Sequence, residues 1–228
     1  MKKIIITQSN YIPWKGYFDG MALVDELVIY DDMQYTKRDW RNRNLIKTAQ
    51  GLKWLSIPVE VKGKYFQKIN ETRISDKYWI EDHLNQLKQN YKQANCYNSV
   101  FPWIEELYLN CKFDLLTEVN HYFLEEINKY LNIDVKILRS ESFALAEDRT
   151  ERLLNICIER GATDYYTGLA AKAYLDEEMF DNSGVKVHYF DYSGYPFYVQ
   201  LHGDFEHGVS ILDLLLNMGK ASPQFMKN

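Results

Sequence analysis

Two apolar runs on either side of a helical pattern, all between Lys3 and Tyr30, constrain this chain more than any other feature. Lys3 to Thr7 is a short β-branched run suited to a buried strand. From Trp14 to Val24 the residues Trp14, Tyr17, Phe18, Met21 and Leu23 recur near helical spacing. Gly16 and Gly20 on that stretch permit close backbone approach. Leu27 to Tyr30 is the second apolar run. Strand, helix, strand over this length is a βαβ unit with parallel strands. The same grammar returns later as a strand at Asp134–Leu138, a helix at Asp148–Arg160 stopped by Gly161, a strand at Asp164–Thr167, a helix at Leu169–Phe180 and a strand at Val185–Phe190. The expected fold is α/β, a mostly parallel Rossmann-like sheet in one domain over 1–228.

The middle of the chain predicts something added to that sheet. Trp54–Val61 and Phe66–Ile74 read as strands, the first made irregular by Pro58. Asp76 then caps a helix running to about Lys92, whose Trp79, His83, Leu87 and Tyr91 recur every four residues. Helices at Val100–Asn110, with Pro102 in its first turn, and at Phe113–Leu131 follow. Three helices in succession predict a helical insertion over about residues 76–131 that covers one side of the sheet. An apolar helix at Val209–Asn217 docks on the core.

Composition narrows the function classes. The chain carries a net charge of -5, which argues against a binder of nucleic-acid polymers. Its positive charge is concentrated: Lys37 to Lys53 holds six Lys or Arg and one acid. A local positive site on an acidic protein fits a small anion. The three cysteines, Cys96, Cys111 and Cys157, lack metal-ligand spacing and read as free thiols of a reducing compartment. No apolar run approaches the roughly 18 residues of a membrane span, and MKKIIITQ is too short for a signal-peptide core. The expected location is the cytoplasm. The 18 tyrosines suit sugar and base recognition, although an A/T-rich genome raises Tyr, Asn, Lys and Ile together.

In an open α/β sheet the loops after successive parallel strands open on one edge, where ligands bind. Gln8–Trp14 and Asp31–Arg43 are those loops here, which places Gln8, Asn10 and Tyr11 beside the basic stretch. Neither GxGxxG nor GxxxxGK[ST] is present, so the usual dinucleotide and P-loop modes are not expected and no cofactor is assigned. The stretch DDMQYTKRDWRNRNLIK, Asp31 to Lys47, interleaves guanidinium groups with amides and aromatics. That mixture suits a flat, anionic, hydroxyl-rich ligand such as a nucleotide or nucleotide-sugar. Lys37, Arg38, Arg41 and Arg43 are the candidates for a diphosphate, because four cations do not cluster without an anion. Asp31, Gln34, Tyr35 and Asn42 join them as substrate-binding candidates. The alternative is a solvated loop whose arginines pair with Asp31, Asp32 and Asp39. Asp31 and Asp32 are open to several roles, from ribose hydroxyl contact to base to turn cap. The segment HGDFEH, with His202 and His207, is not H-E-x-x-H and reads as a loop with exposed histidines; no metal site is assigned.

The motifs together resemble the WbqC-like proteins of bacteria. They are QSNYIPWKGYFD (Gln8 to Asp19), the basic stretch, WLSIPV (Trp54 to Val59), the helix bearing Trp79, His83 and Tyr91, YYTG (Tyr165 to Gly168) and VSILDLLLNMG (Val209 to Gly219). They span nearly the whole chain in the expected order. Leu216 and Ser9 stand where the family usually has Phe and Pro. The resemblance implies a place in O-antigen and other surface-polysaccharide synthesis, and transfer of an acyl or aminoacyl group to an amino sugar. In such a transfer the amine is itself the nucleophile, so a base and an oxyanion donor suffice. His83 or Asp32 is the candidate base, although an aromatic-and-His stripe on a helix is more often core. The implied partner is a nucleotide-linked sugar, with donor and oligomeric state unspecified. The rival expectation is a non-catalytic nucleotide-sugar binding protein that assists a pathway enzyme.

Overall fold

The computed structural model describes residues 1–228. Its chain runs β1 (Lys3–Thr7), α1 (Lys15–Leu23), β2 (Glu26–Ile29), β3 (Arg43–Thr48), β4 (Gly51–Ser56), α2 (Trp79–Tyr91), α3 (Tyr97–Asn110), α4 (Leu116–Leu131), β5 (Lys136–Arg139), α5 (Arg149–Glu159), β6 (Asp164–Thr167), α6 (Glu177–Asn182), β7 (Lys186–Tyr189) and α7 (Ile211–Met218). Five strands form one sheet in the order β5-β2-β1-β6-β7, and every neighbouring pair is parallel. The α/β Rossmann-like fold expected from the alternation is the fold observed.

The central residues of β1, Ile4 to Ile6, are all buried, and they pack alternately on the two faces because successive side chains of a strand point to opposite sides. Ile5 packs with Leu27, Ile29, Phe18 and Met21 in a core of 36 buried residues that includes α2, α3, α4 and α7. Ile4 and Ile6 pack with Val28 and with Leu153, Ile156 and Phe180 of α5 and α6 in a smaller core of 12. The first three parallel strands wind outward from β1 with α1 on the large-core face. The chain then crosses to β6 through α5 on the other face, as right-handed crossovers require. The winding reverses between β1 and β6, so their carboxyl ends splay around a crevice at a topological switch point.

The inserted segment is larger than expected and is not purely helical. The helices between Asp76 and Leu131 are present, and Trp79, His83, Leu87 and Tyr91 are buried on one face of α2. Before them lies an antiparallel hairpin, β3 with β4, pairing Leu45 with Trp54. The basic stretch therefore enters a strand at Arg43, and the strand expected at Trp54–Val61 ends at Ser56, ahead of Pro58. No strand forms over Phe66–Ile74. A single 3-10 turn at Ile69–Glu71 takes its place, closed by the Glu71 carboxylate on the Lys68 N–H and by the Thr72 hydroxyl on the Lys68 carbonyl. The helix expected over Leu169–Phe180 breaks in two because the Asp176 side chain caps a new helix by accepting from Met179 N–H. α3 begins at Tyr97, so Pro102 lies inside it, beyond the first turn. α7 is buried over nearly its whole length, including the carboxylate of Asp213, which accepts from the Tyr91, Tyr198 and Gln200 side chains. No helix is long and apolar enough to cross a membrane.

Candidate functional site

The loop after β1 is held in one conformation from three sides. Ser9 N–H donates to the Asp31 carboxylate at 2.9 Å, and Tyr11 N–H to the Trp40 carbonyl at 2.9 Å. The loops after β1 and β2 thus meet at one sheet edge. Ile12 sits at φ 35°, a left-handed conformation that strains a β-branched residue. Its carbonyl accepts from Asn44 Nδ2 at 2.9 Å and from the Ser210 hydroxyl at 2.8 Å. Asn44 also donates to the Tyr11 carbonyl at 3.0 Å. Hairpin and C-terminal segment together hold the strained loop against the crevice.

The crevice is a cavity of about 230 Å³ lined by Thr7, Asn10, Trp14, Tyr17, Arg41, Thr167, Gly168 and Tyr192, among others. It continues through Asn10, Trp14 and Tyr192 into a groove of about 500 Å³ that adds Trp40, Asn44 and His207. Arg41 is the cation that lines the crevice. One terminal nitrogen donates to the Asn10 side chain and to the Ser9 carbonyl, while Nε has no hydrogen-bond partner and lies 3.7 Å from Asp39. A guanidinium lining one crevice with an indole and a phenol at a carboxyl strand edge is suited to bind the phosphates of a nucleotide, with rings available for base or sugar.

The other cations of the stretch diverge from Arg41. Arg43 lies 3.9 Å from the Trp54 ring and donates to the Arg38 carbonyl. Arg38 and Lys37 are exposed, and Lys37 lines a separate cleft with Gln34 and Tyr35. Gln34 donates to the Tyr65 carbonyl at 2.8 Å, and Tyr35 is buried with its hydroxyl pushed up to about 12 by desolvation. Asn42 is pinned to the Ile57 carbonyl at 2.8 Å. The four cations therefore do not converge on one anion, because β3 and its left-handed lead-in at Arg38 turn successive side chains apart.

Three further expectations are corrected by burial. Asp31 is 3% exposed and accepts from Ser9 N–H, the Ser9 hydroxyl at 2.7 Å and the Thr117 hydroxyl at 2.6 Å. Burial raises its pKa, against the pull of those bonds, and it ties the sheet edge to α4. Tyr11 is 1% exposed, with its hydroxyl between His83 Nδ1 at 2.8 Å and the Tyr108 hydroxyl at 2.6 Å. His83 is equally buried and its other nitrogen faces the Ser56 carbonyl at 3.2 Å. Desolvation pushes it down to about 4, so it is a neutral core histidine without access to substrate. Asp32 is engaged by Ser140, Asn70 and Lys68 and lines neither crevice nor groove. Of the expected contacts, Asn10 and Arg41 reach the crevice, and Gln8 faces its opposite side.

The structure adds Thr7, Trp14, Thr167, Gly168, Tyr192 and His207. YYTG carried two of them as a strand end and the residue after it. His207 is not an exposed loop histidine. It packs against Phe205 and Phe197, with ring centroids at 4.6 and 5.2 Å. Nδ1 is buried without a partner, which leaves Nε2 toward the open groove. Desolvation and the nearby Lys15 lower its pKa, while Glu206 opposes them. Lys15 itself is buried among Tyr195, Tyr198 and Phe205, donates to the Pro196 carbonyl, and is lowered to about 8 by desolvation. No group of three or more His, Cys, Asp or Glu side chains is gathered as a metal site.

These features define a doubly wound α/β protein with an arginine-lined crevice at its switch point. The chain belongs to the WbqC-like protein family, whose model matches residues 8–225. It is 48% identical over 227 residues to an uncharacterized protein of Mycobacterium tuberculosis, Rv1507c, covering 100% of this chain and 98% of that one. No solved structure matches it.

Proposed function

We propose that this protein is a cytoplasmic transferase that adds an acyl or aminoacyl group to a nucleotide-linked amino sugar for surface-polysaccharide or O-antigen synthesis. The observation that carries the reading is the Arg41 guanidinium, held by Asn10 and lining with Trp14 and Tyr192 the crevice between β1 and β6. Arg41 takes the diphosphate, the rings take the base or sugar, and family membership supports the choice of sugar chemistry. His83 and Asp32 are out of reach, so the groove's proton acceptor is His207. A lowered pKa keeps its imidazole neutral and able to accept the proton of an attacking amine near pH 7. Incubation with UDP- and dTDP-amino sugars and a panel of acyl and aminoacyl donors, followed by mass spectrometry, tests the reading. A mass increase on the sugar supports it. Tight sugar-nucleotide binding without any mass change across the panel would favour a non-catalytic binder.

A further inference from the structure

A third cavity, of about 620 Å³, lies across the sheet edge from the crevice, on the face that carries α5. Ile6, Leu153 and Tyr165 of the small core form its floor, and Gln8, Tyr30 and Tyr174 its walls. Arg149 and Arg152 stand at its rim with Glu147. Arg152 is positioned by the Ala146 and Glu147 carbonyls and the Tyr30 hydroxyl, none of which neutralises it. Arg149 forms no ion pair. Thr7, Thr167 and Gly168 line both this cavity and the crevice.

Gly168 is unexplained by the fold. Its backbone, at φ -75° and ψ 155°, is open to any residue. A Cβ built there would meet nothing within 4 Å. Neither strain nor crowding calls for glycine, and a side chain there would enter open space at lining that the two cavities share.

We propose that the cavity on the α5 face binds the second substrate, a phosphate-bearing activated acyl donor, and that the two substrates react through the opening at Gly168. The proposal rests on the transferase reading above and supplies what that reading lacks, a place for the donor. Two substrates held on opposite sides of one opening can bring their reacting atoms within bonding approach, which is the main gain of a two-site transferase. In the step, the sugar amine forms a bond to the acyl carbon. The bond from that carbon to its leaving oxygen or sulfur breaks, and the electron pair stays on the leaving atom. The amine proton ends on the leaving atom, which it neutralises. Arg149 and Arg152 hold the donor's phosphate.

Calorimetry with AMP and with coenzyme A as donor probes, and UDP-glucosamine as sugar probe, tests the assignment. Arg149→Glu should weaken AMP or coenzyme A by about tenfold or more and leave UDP-glucosamine unchanged; Arg41→Ala should do the reverse. Whichever donor probe responds distinguishes an acyl adenylate from a thioester. Gly168→Leu should keep the wild-type melting temperature yet cut transfer by about 100-fold, since misplacement by about 1 Å suffices. No binding of either donor probe, or binding indifferent to Arg149, overturns the second site; unaltered transfer in Gly168→Leu overturns the passage. Where no transfer is detected, the crossed binding pattern decides alone. Loss of UDP-glucosamine binding with Arg149-dependent binding intact would remove the sugar reading and leave the second site standing.

Discussion

The crevice at the β1 and β6 strand ends and the polar web beneath it are built from similar residues and behave oppositely. The web contains Asp31, Ser9, Thr117 and Asn120, and beside them His83, Tyr11 and Tyr108. Apart from Asn120 Oδ1, its buried side-chain hydrogen-bonding groups have partners within the protein. The crevice and the groove beside it contain Arg41, Asn10 and His207, where Arg41 Nη2 and His207 Nε2 make no hydrogen bond and are not buried. Buried polar groups that complete their bonds internally are scaffold, because leaving one open costs stability. Groups left open toward a cavity are free to meet a ligand. The difference separates two histidines and two parts of one basic stretch that share their chemistry.

The sharpest break in the comparison comes from Asp31→Ala. Removing a carboxylate with three donors strands the Ser9 and Thr117 groups, and should cost about 3 kcal/mol or more, lowering Tm by roughly 6–12 °C. Affinity for UDP-glucosamine per folded molecule should hold; a scaffold role fails if affinity drops without a change in Tm.

Of similar size is the pH response of His83. Its folded pKa, about 4, lies below the ordinary 6.5 of the unfolded chain. A group lowered on folding stabilises fully above pH 6.5, and that stabilisation falls as pH drops from 6.5 to about 4. The separation corresponds to about 3 kcal/mol. Thermal melts across this range should show the loss, and His83→Gln should flatten it. An unchanged acid limb in that variant would mean the histidine is not the buried neutral group described.

Arg41→Ala should act on the other region alone. Losing its charge-assisted bonds should weaken UDP-glucosamine by roughly ten- to a hundred-fold, about 1.5–3 kcal/mol, with Tm little altered. Arg41→Lys should recover part of this, and added salt should weaken wild-type binding. A fall in Tm with unaltered affinity would move Arg41 into the scaffold.

Smaller effects sharpen the contrast within the basic stretch. Arg43→Ala loses a cation–π contact with Trp54 and should cost about 0.5–1 kcal/mol of stability without touching affinity. Lys37→Ala, fully on the surface, should stay within about 0.5 kcal/mol in both measurements. Equal losses of sugar-nucleotide affinity in the Arg43 and Arg41 variants would restore the four-cation cluster that the structure dissolves.

The parallel sheet was legible because its signals are local. Ile4 to Ile6, the α1 spacing and the Asp148 and Asp176 caps each act within a turn or a strand, although Asp176 was seen only as part of a longer helix. The hairpin was hidden by its own burial. In Arg43–Thr48 the polar Asn44 and Lys47 are inside, satisfied by the Tyr11 and Ile12 carbonyls and by Gln200 and Asp204. Buried polar residues erase the alternation that marks a strand, and their partners lie far along the chain. His207 was discounted for a similar reason, since the aromatics that bury it come from a segment without regular structure.

What the sequence determined by itself was the parallel α/β grammar and the meeting of the first two loops at one edge, because a βαβ unit leaves its strands no other arrangement. Only the tertiary structure decided that the winding reverses between β1 and β6, that Arg41 alone of its cluster turns into the crevice, and that His207 rather than His83 lines the adjoining groove. Strand order depends on pairing between segments more than a hundred residues apart, as in Ile5 with Tyr166. Whether a polar side chain is scaffold or site depends on how many of its bonds those distant segments complete.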